Sequence, residues 1–144
     1  MVTGEASAAG HLSKSVQRDA AVTRHHVGRQ AERAAVQYLR AKGLEILECN
    51  LRLGYLEIDI LAREGDQIVV VEVRTRGAGA WQSALGSIDR VKRKRLVKAA
   101  TLLWQRRFAS DASLRAIRFD AIAVRIAGHQ LLQVEHIRAA FCAN

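Results

Sequence analysis

Glu57, Asp59 and Glu72 are carboxylates set inside apolar strand-like runs, and their types and spacing suit chemistry. Glu57 and Asp59 lie in Leu56-Glu57-Ile58-Asp59-Ile60-Leu61, and Glu72 lies in Val69-Val70-Val71-Glu72-Val73-Arg74. Side chains alternate across a strand, so Glu57 and Asp59 are expected on one face, and Glu72 and Arg74 on one face. Glu64-Gly65-Asp66 between the runs is a turn-type sequence. If that hairpin closes with Glu64 opposite Gln67, Asp59 falls opposite Glu72, and Glu57 opposite Arg74. Opposed side chains have Cβ atoms roughly 5 Å apart. Two carboxylates at that distance repel unless a proton or cation lies between them. A hard divalent ion, Mg²⁺ or Mn²⁺, resolves this, taking carboxylate oxygens plus water and substrate phosphate. Such an ion activates water for attack on a phosphoryl centre. A structural reading stands beside this one: a Glu57–Arg74 cross-strand ion pair, with Asp59 bonded to backbone amides.

Glu32 is a further candidate. It lies in line with Ala35, Val36 and Leu39 on the stripe of a first helix, an odd place for a solvated acid. It either assists the acidic pair or is an ordinary glutamate at the stripe's edge. Arg90, Lys92, Arg93, Lys94, Arg95 and Lys98 crowd a later helix, followed by Arg106 and Arg107. A run this dense without interleaved acids repels itself, which favours a phosphate-tracking surface over a merely solvated face. Trp81, in the Gly-rich loop before that helix, either stacks on a base or caps the core. His25 and His26 precede the first helix, His129 reads as a turn residue, and His136 as core-facing. None shows a triad partner in the sequence.

The elements that must position these residues follow from periodicity. His26 to Lys42 is helical and stops at Gly43. Leu44–Leu51, Leu56–Arg63 and Gln67–Arg74 read as strands. Ile88–Phe108 reads as a long helix, apolar at Val91, Leu96, Ala99, Ala100, Leu103 and Trp104. Leu114–Arg125 and Gln130–Ile137 close the set around Gly128. The order helix, three strands, helix, two strands predicts an α/β fold, a mixed sheet flanked by helices. Ile68 to Val71 is continuously apolar, which predicts a central strand covered on both faces. Residues 1–24 have no sustained period and read as a mobile tail with at most a transient helical stretch, leaving 25–144 as one domain.

Composition agrees with a single basic domain. The 144 residues are 49% hydrophobic and carry 23 Lys and Arg against 14 acids, a formal charge of +9. That excess favours anionic partners such as nucleic acid. Cys49 and Cys142 lie far apart without metal-ligand spacing, which speaks against a disulfide framework or a zinc site. A reducing, cytoplasmic setting is expected. Residues 1–27 lack a signal-peptide apolar run, and no segment has the length of a membrane span, so no membrane partner is expected.

Asp59, a spacer, then Glu72-Val73-Arg74 resembles the PD-(D/E)xK nuclease signature. More specifically, the chain resembles the YraN family, bacterial proteins of restriction-endonuclease-like fold related to Holliday junction resolvases. The resemblance spans about Gly28 to Phe141. Its parts are Gly28, Ala31-Glu32, Tyr38-Leu39, Gly43, Asn50-Leu51-Arg52, Glu57-Ile58-Asp59, Val71 to Arg76, Lys92, Leu96, Ala99-Ala100, Arg118-Phe119-Asp120, His136-Ile137 and Ala140-Phe141. It implies a metal-dependent endonuclease acting on branched or damaged DNA, with Asp59 and Glu72 as metal carboxylates and Glu32 as the first-helix acid. Lys92 or a neighbour becomes a phosphate contact, and a homodimer is a further implication. Two positions depart from the family pattern. Leu56 replaces a usual glycine, and Arg74 replaces the lysine that positions the attacking water. Arginine stays protonated and cannot serve as a base, but as the replacement for that lysine Arg74 is still expected to orient water or clamp a phosphate in catalysis. A non-catalytic nucleic-acid-binding protein on the same fold is therefore the alternative.

Overall fold

The computed structural model describes residues 8–76 and 88–143. It begins with a long helix, α1 (Ala8–Ala41), so the helix already runs through 8–24, the stretch read from sequence as a tail. Ala31, Ala35 and Leu39 form its buried stripe. The helix ends where Gly43 takes φ +91°. There the Leu44 N–H donates to Leu39 O at 3.0 Å and the Gly43 N–H to Arg40 O at 3.0 Å. This crossed pair satisfies the last carbonyls, and buried Leu44 packs in the same cluster as Leu39.

Strands β1 (Glu45–Leu53), β2 (Leu56–Glu64) and β3 (Gln67–Arg76) follow as antiparallel neighbours. Helix α2 (Arg90–Leu103), extended by a wider π turn over Trp104–Phe108, crosses over to β4 (Ala116–Ala127), which pairs parallel to β3. Strand β5 (Gln130–Phe141) returns antiparallel to β4. The sheet has five strands in the order β1-β2-β3-β4-β5. Thus β3 is central, as its unbroken apolar run predicts.

The two sheet faces carry separate cores. Ile68 and Val70 pack with Leu96, Ala99, Ala100 and Leu103 of α2. Val69 and Val71 pack with Ala31, Ala35 and Leu39 of α1. Of the apolar positions expected on α2, Val91 differs: it is 59% exposed, because the buried stripe starts only at Leu96.

Candidate functional site

The hairpin register is the expected one. Glu64 pairs with Gln67, and the ladder runs to Ile60 opposite Val71, where it stops. Asp59 and Glu72 are the next residues along. Instead of continuing the ladder, the Asp59 Oδ2 accepts the Val73 N–H at 2.8 Å. The carboxylate thus replaces a backbone acceptor at the point where the strands part. The structural alternative named above, an Asp59 bonded to a backbone amide, is realised.

Glu57 does not share the face of Asp59, a correction to simple alternation. Ile58 packs in the α2-side core, whereas Ile60 packs in the α1-side core, so the period-2 pattern breaks between them. The break falls where β1 and β2 part for one opposed pair of residues. Asn50 adopts a left-handed conformation, φ 51°, and the pairing of β1 with β2 passes from Cys49–Ile60 to Leu51–Ile58 in unchanged register, leaving both Asn50 and the opposed Asp59 out of the ladder. Asparagine tolerates this region better than most residues. Asp59 and Leu61 therefore face α2 with Glu72. Glu57 instead lines a cleft of about 690 Å³ beside α1, with Arg24, His25, Gly28, Arg29, Glu32, Asn50 and Arg52. Glu32 sits in that cleft, its Oε2 accepting from Asn50 Nδ2 at 3.0 Å. The cross-strand Glu57–Arg74 ion pair does not form; Arg74 Nε instead lies 3.5 Å from Glu72 Oε1.

Glu72 is the most unusual group of the site. It is 3% exposed. Burial, and next the charge of Asp59, push its carboxyl up to about 7, against the opposing pull of Lys92 and Arg74. Lys92 Nζ stands 3.4 Å from Glu72 Oε1. Its backbone is fixed by the helix N-cap: the Asp89 side chain accepts the Lys92 N–H at 2.8 Å. Glu72 Oε2 is buried with no hydrogen-bond partner among the described residues, as are Arg74 Nε and two nitrogens of Arg76. Among the described residues Glu72 Oε2 is thus a carboxylate oxygen without a hydrogen-bond donor, with the Asp59 carboxylate as its neighbour.

Among the described residues, no cluster of three or more His, Cys, Asp or Glu side chains surrounds a metal-sized point. The acidic set is the Asp59–Glu72 pair. It suits a cation that takes one or two protein carboxylates and completes its shell with water and phosphate.

The basic residues of α2 divide by helix face. Lys92 turns to Glu72. Arg93 Nε donates to Ile88 O at 2.9 Å, and its guanidinium lies over Phe141. Arg90, Arg93, Lys94 and Lys98 line a groove of about 780 Å³ against Ala140–Ala143. Lys98 Nζ also donates to the exposed Tyr55 hydroxyl at 2.8 Å. Arg95 is exposed. Trp81 lies outside the described residues.

One polar cluster was missed in the sequence. Asp120, fully buried on β4, accepts from Arg118 twice, at 2.8 and 2.9 Å, and from the Ala139 N–H at 3.0 Å. His136 Nε2 lies 2.8 Å from its other oxygen, and Tyr38 of α1 packs edge-on against the His136 ring. Burial pulls the Asp120 carboxyl up, but these donors together outweigh it and hold it below the usual carboxylate range. Glu64, bonded by Arg138 and Arg118, is held at about 2. The signal was an aspartate inside the apolar run Phe119 to Val124.

Fold and site together define a mixed α/β protein whose central strand carries a buried glutamate to the point where its hairpin opens. The chain belongs to the uncharacterised protein family UPF0102, whose model matches residues 31–124. It is 45% identical over 122 residues to a UPF0102 protein of Sorangium cellulosum, covering 85% of each chain. It is 45% identical to one from Desulfitobacterium hafniense over 71% of this chain and 83% of that one. A relative from Pseudomonas savastanoi is 36% identical over 83% of this chain and 95% of its own length. No helix among the described residues is long and apolar enough to cross a membrane.

Proposed function

We propose that the chain is a metal-dependent nuclease-like protein that hydrolyses phosphodiester bonds in DNA. The observation that carries this reading is Glu72: a buried carboxylate with a raised affinity for protons, one unpartnered oxygen and a second carboxylate beside it. This donor set fits Mg²⁺ or Mn²⁺, with Asp59 and Glu72 as the protein ligands. Such an ion supplies a Lewis acid for the phosphoryl oxygen and lowers the pKa of a bound water.

The chain's own residues do the positioning. The Val73 N–H fixes one Asp59 oxygen, so the carboxylate is oriented before any ligand arrives. Arg74 keeps a permanent positive charge beside Glu72, from which it can orient water or clamp a substrate phosphate. Lys92 brings a titratable amine to Glu72 from α2, where Arg74 brings a permanently charged group. Lys92 is thus the group suited to orient the attacking water. The groove along α2 holds the DNA backbone without reading its sequence. Glu32, in its separate cleft, acts on substrate only from the α1 side.

The test is cleavage of linear, flapped and four-way DNA with Mg²⁺ or Mn²⁺. Wild-type protein is expected to cut, Asp59→Ala and Glu72→Ala to be inactive, and Lys92→Met to lose about 100-fold or more. Metal affinity unchanged in both carboxylate variants sinks the proposed site. A second reading, DNA binding without turnover, is favoured by the arginine at position 74. It predicts salt-sensitive binding with no cleavage in any metal, and cleavage gained in Arg74→Lys would point back to the first.

A further inference from the structure

We infer that the protein carries an oxyanion site of the phosphate class on α1, separate from the acidic pair. A cavity of about 300 Å³ lies where α1 crosses the β4–β5 turn, lined by His26, Arg29, Gln30, Arg33 and His129. Every charged or titratable side chain in that lining is basic. Among the described residues neither Arg29 nor Arg33 has a carboxylate within ion-pair distance, although Arg63, Arg74, Arg107, Arg115, Arg118 and Arg138 all do. The cavity is also held in shape. Gln30 Nε2 donates to His129 O at 2.8 Å, tying the turn to the helix, and the His26 and His129 rings meet edge-on at 6.0 Å.

Arg29 and Arg33 are four residues apart and so project from the same helix face. Two guanidinium groups and two imidazoles from two elements surround one small volume. Guanidinium forks match phosphate oxygens, and imidazole N–H groups supply further donors. Arg29 also borders the adjoining cleft, but Glu32 and Glu57 line that cleft too, so the anion site is confined to the smaller cavity. The ligand chemistry is a phosphate oxyanion, whose source is either free phosphate or the backbone of a nucleic acid.

The test follows the histidine ring protons by NMR in the full chain, with His26→Asn and His129→Asn to assign them. Inorganic phosphate is titrated against matched ionic strength of chloride, and a short DNA duplex without terminal phosphates is titrated separately. Saturable shifts of His26 and His129 are expected with at least one of the two. A response to phosphate alone identifies the free anion, and a response to the duplex identifies backbone phosphate. Arg29→Gln with Arg33→Gln is expected to weaken the response about tenfold or more. Lys94→Gln with Lys98→Gln, on α2, leaves the inorganic-phosphate response unchanged. No saturable shift with either ligand, or an unchanged response in the arginine double variant, overturns the site. Arg33→Lys, which keeps the charge, retains binding if charge is the cause, and unfolding is read from the remaining spectrum. Asp59 and Glu72 are not part of this cavity, so loss of hydrolysis in their variants with the phosphate response intact separates this inference from the nuclease reading.

Discussion

Glu72 should make stability depend on pH in an identifiable window. Its carboxyl is raised to about 7 in the folded chain from 4.5. The folded state therefore binds a proton more tightly than the unfolded state, and stability contributed by the protonated form is lost as pH rises from about 4.5 through about 7. Thermal melts across this range are expected to show falling stability for wild type and a flatter profile for Glu72→Gln. At pH 8, Mn²⁺ should raise the melting temperature of wild type and leave Glu72→Gln and Asp59→Asn unmoved. A wild-type profile identical to that of Glu72→Gln contradicts the assignment. Asp120 has the opposite sign. Its folded carboxyl is depressed, so its contribution is present above its unfolded pKa and is lost as pH falls through the folded one. Asp120→Asn breaks the bidentate pair of buried Asp120 with half-buried Arg118 and is expected to cost about 3 kcal/mol in denaturant unfolding.

At the scale of elements, the site depends on how a helix starts and where a strand bends. Asp89 caps α2 through the Lys92 N–H. Asp89→Ala should cost about 1 kcal/mol of stability. It should also loosen the Lys92–Glu72 pair, so the loss of cleavage is expected to exceed what lost folding accounts for. Asn50 bends β1 with φ 51°, opposite the site of Asp59. Asn50→Val places a β-branched residue in the left-handed region and is expected to cost about 1–2 kcal/mol. Asn50→Gly should be close to wild type at that position. Calorimetry of the pair checks this, and equal losses would show that the Glu32 hydrogen bond, not the backbone, sets the cost.

At the scale of the molecule, the two helices flank one sheet and bring positive charge to both sides. The groove along α2 holds Arg90, Arg93, Lys94 and Lys98, and the α1 side holds Arg24, Arg29, Arg33 and Arg52. With a formal charge of +9, binding to duplex DNA is expected to weaken steeply with salt. Replacing Lys94 and Lys98 with Gln should reduce the slope of log K against log salt by about 0.9 for each lost phosphate contact. Fluorescence anisotropy over a salt series measures it, and an unchanged slope removes the α2 groove from the interface.

Much of this arrangement is determined by local sequence. The order of elements follows from hydrophobic period and turn residues, and β3 is central because its apolar run needs cover on both faces. The register that brings Asp59 to Glu72 follows from a two-residue turn, Gly65-Asp66, whose glycine takes φ 59°. What tertiary structure alone decided concerns residues distant in the chain. Glu57 goes to the α1 side, away from Asp59, because strand parity breaks where Asn50, at φ 51°, and the opposed Asp59 both leave the ladder. The cap on α2 delivers Lys92 to Glu72, and β5 brings His136 to Asp120, contacts that no local period encodes. Sequence placed the acids on their strands; the packing of α1 and α2 on opposite faces decided which cations and which cleft each acid meets.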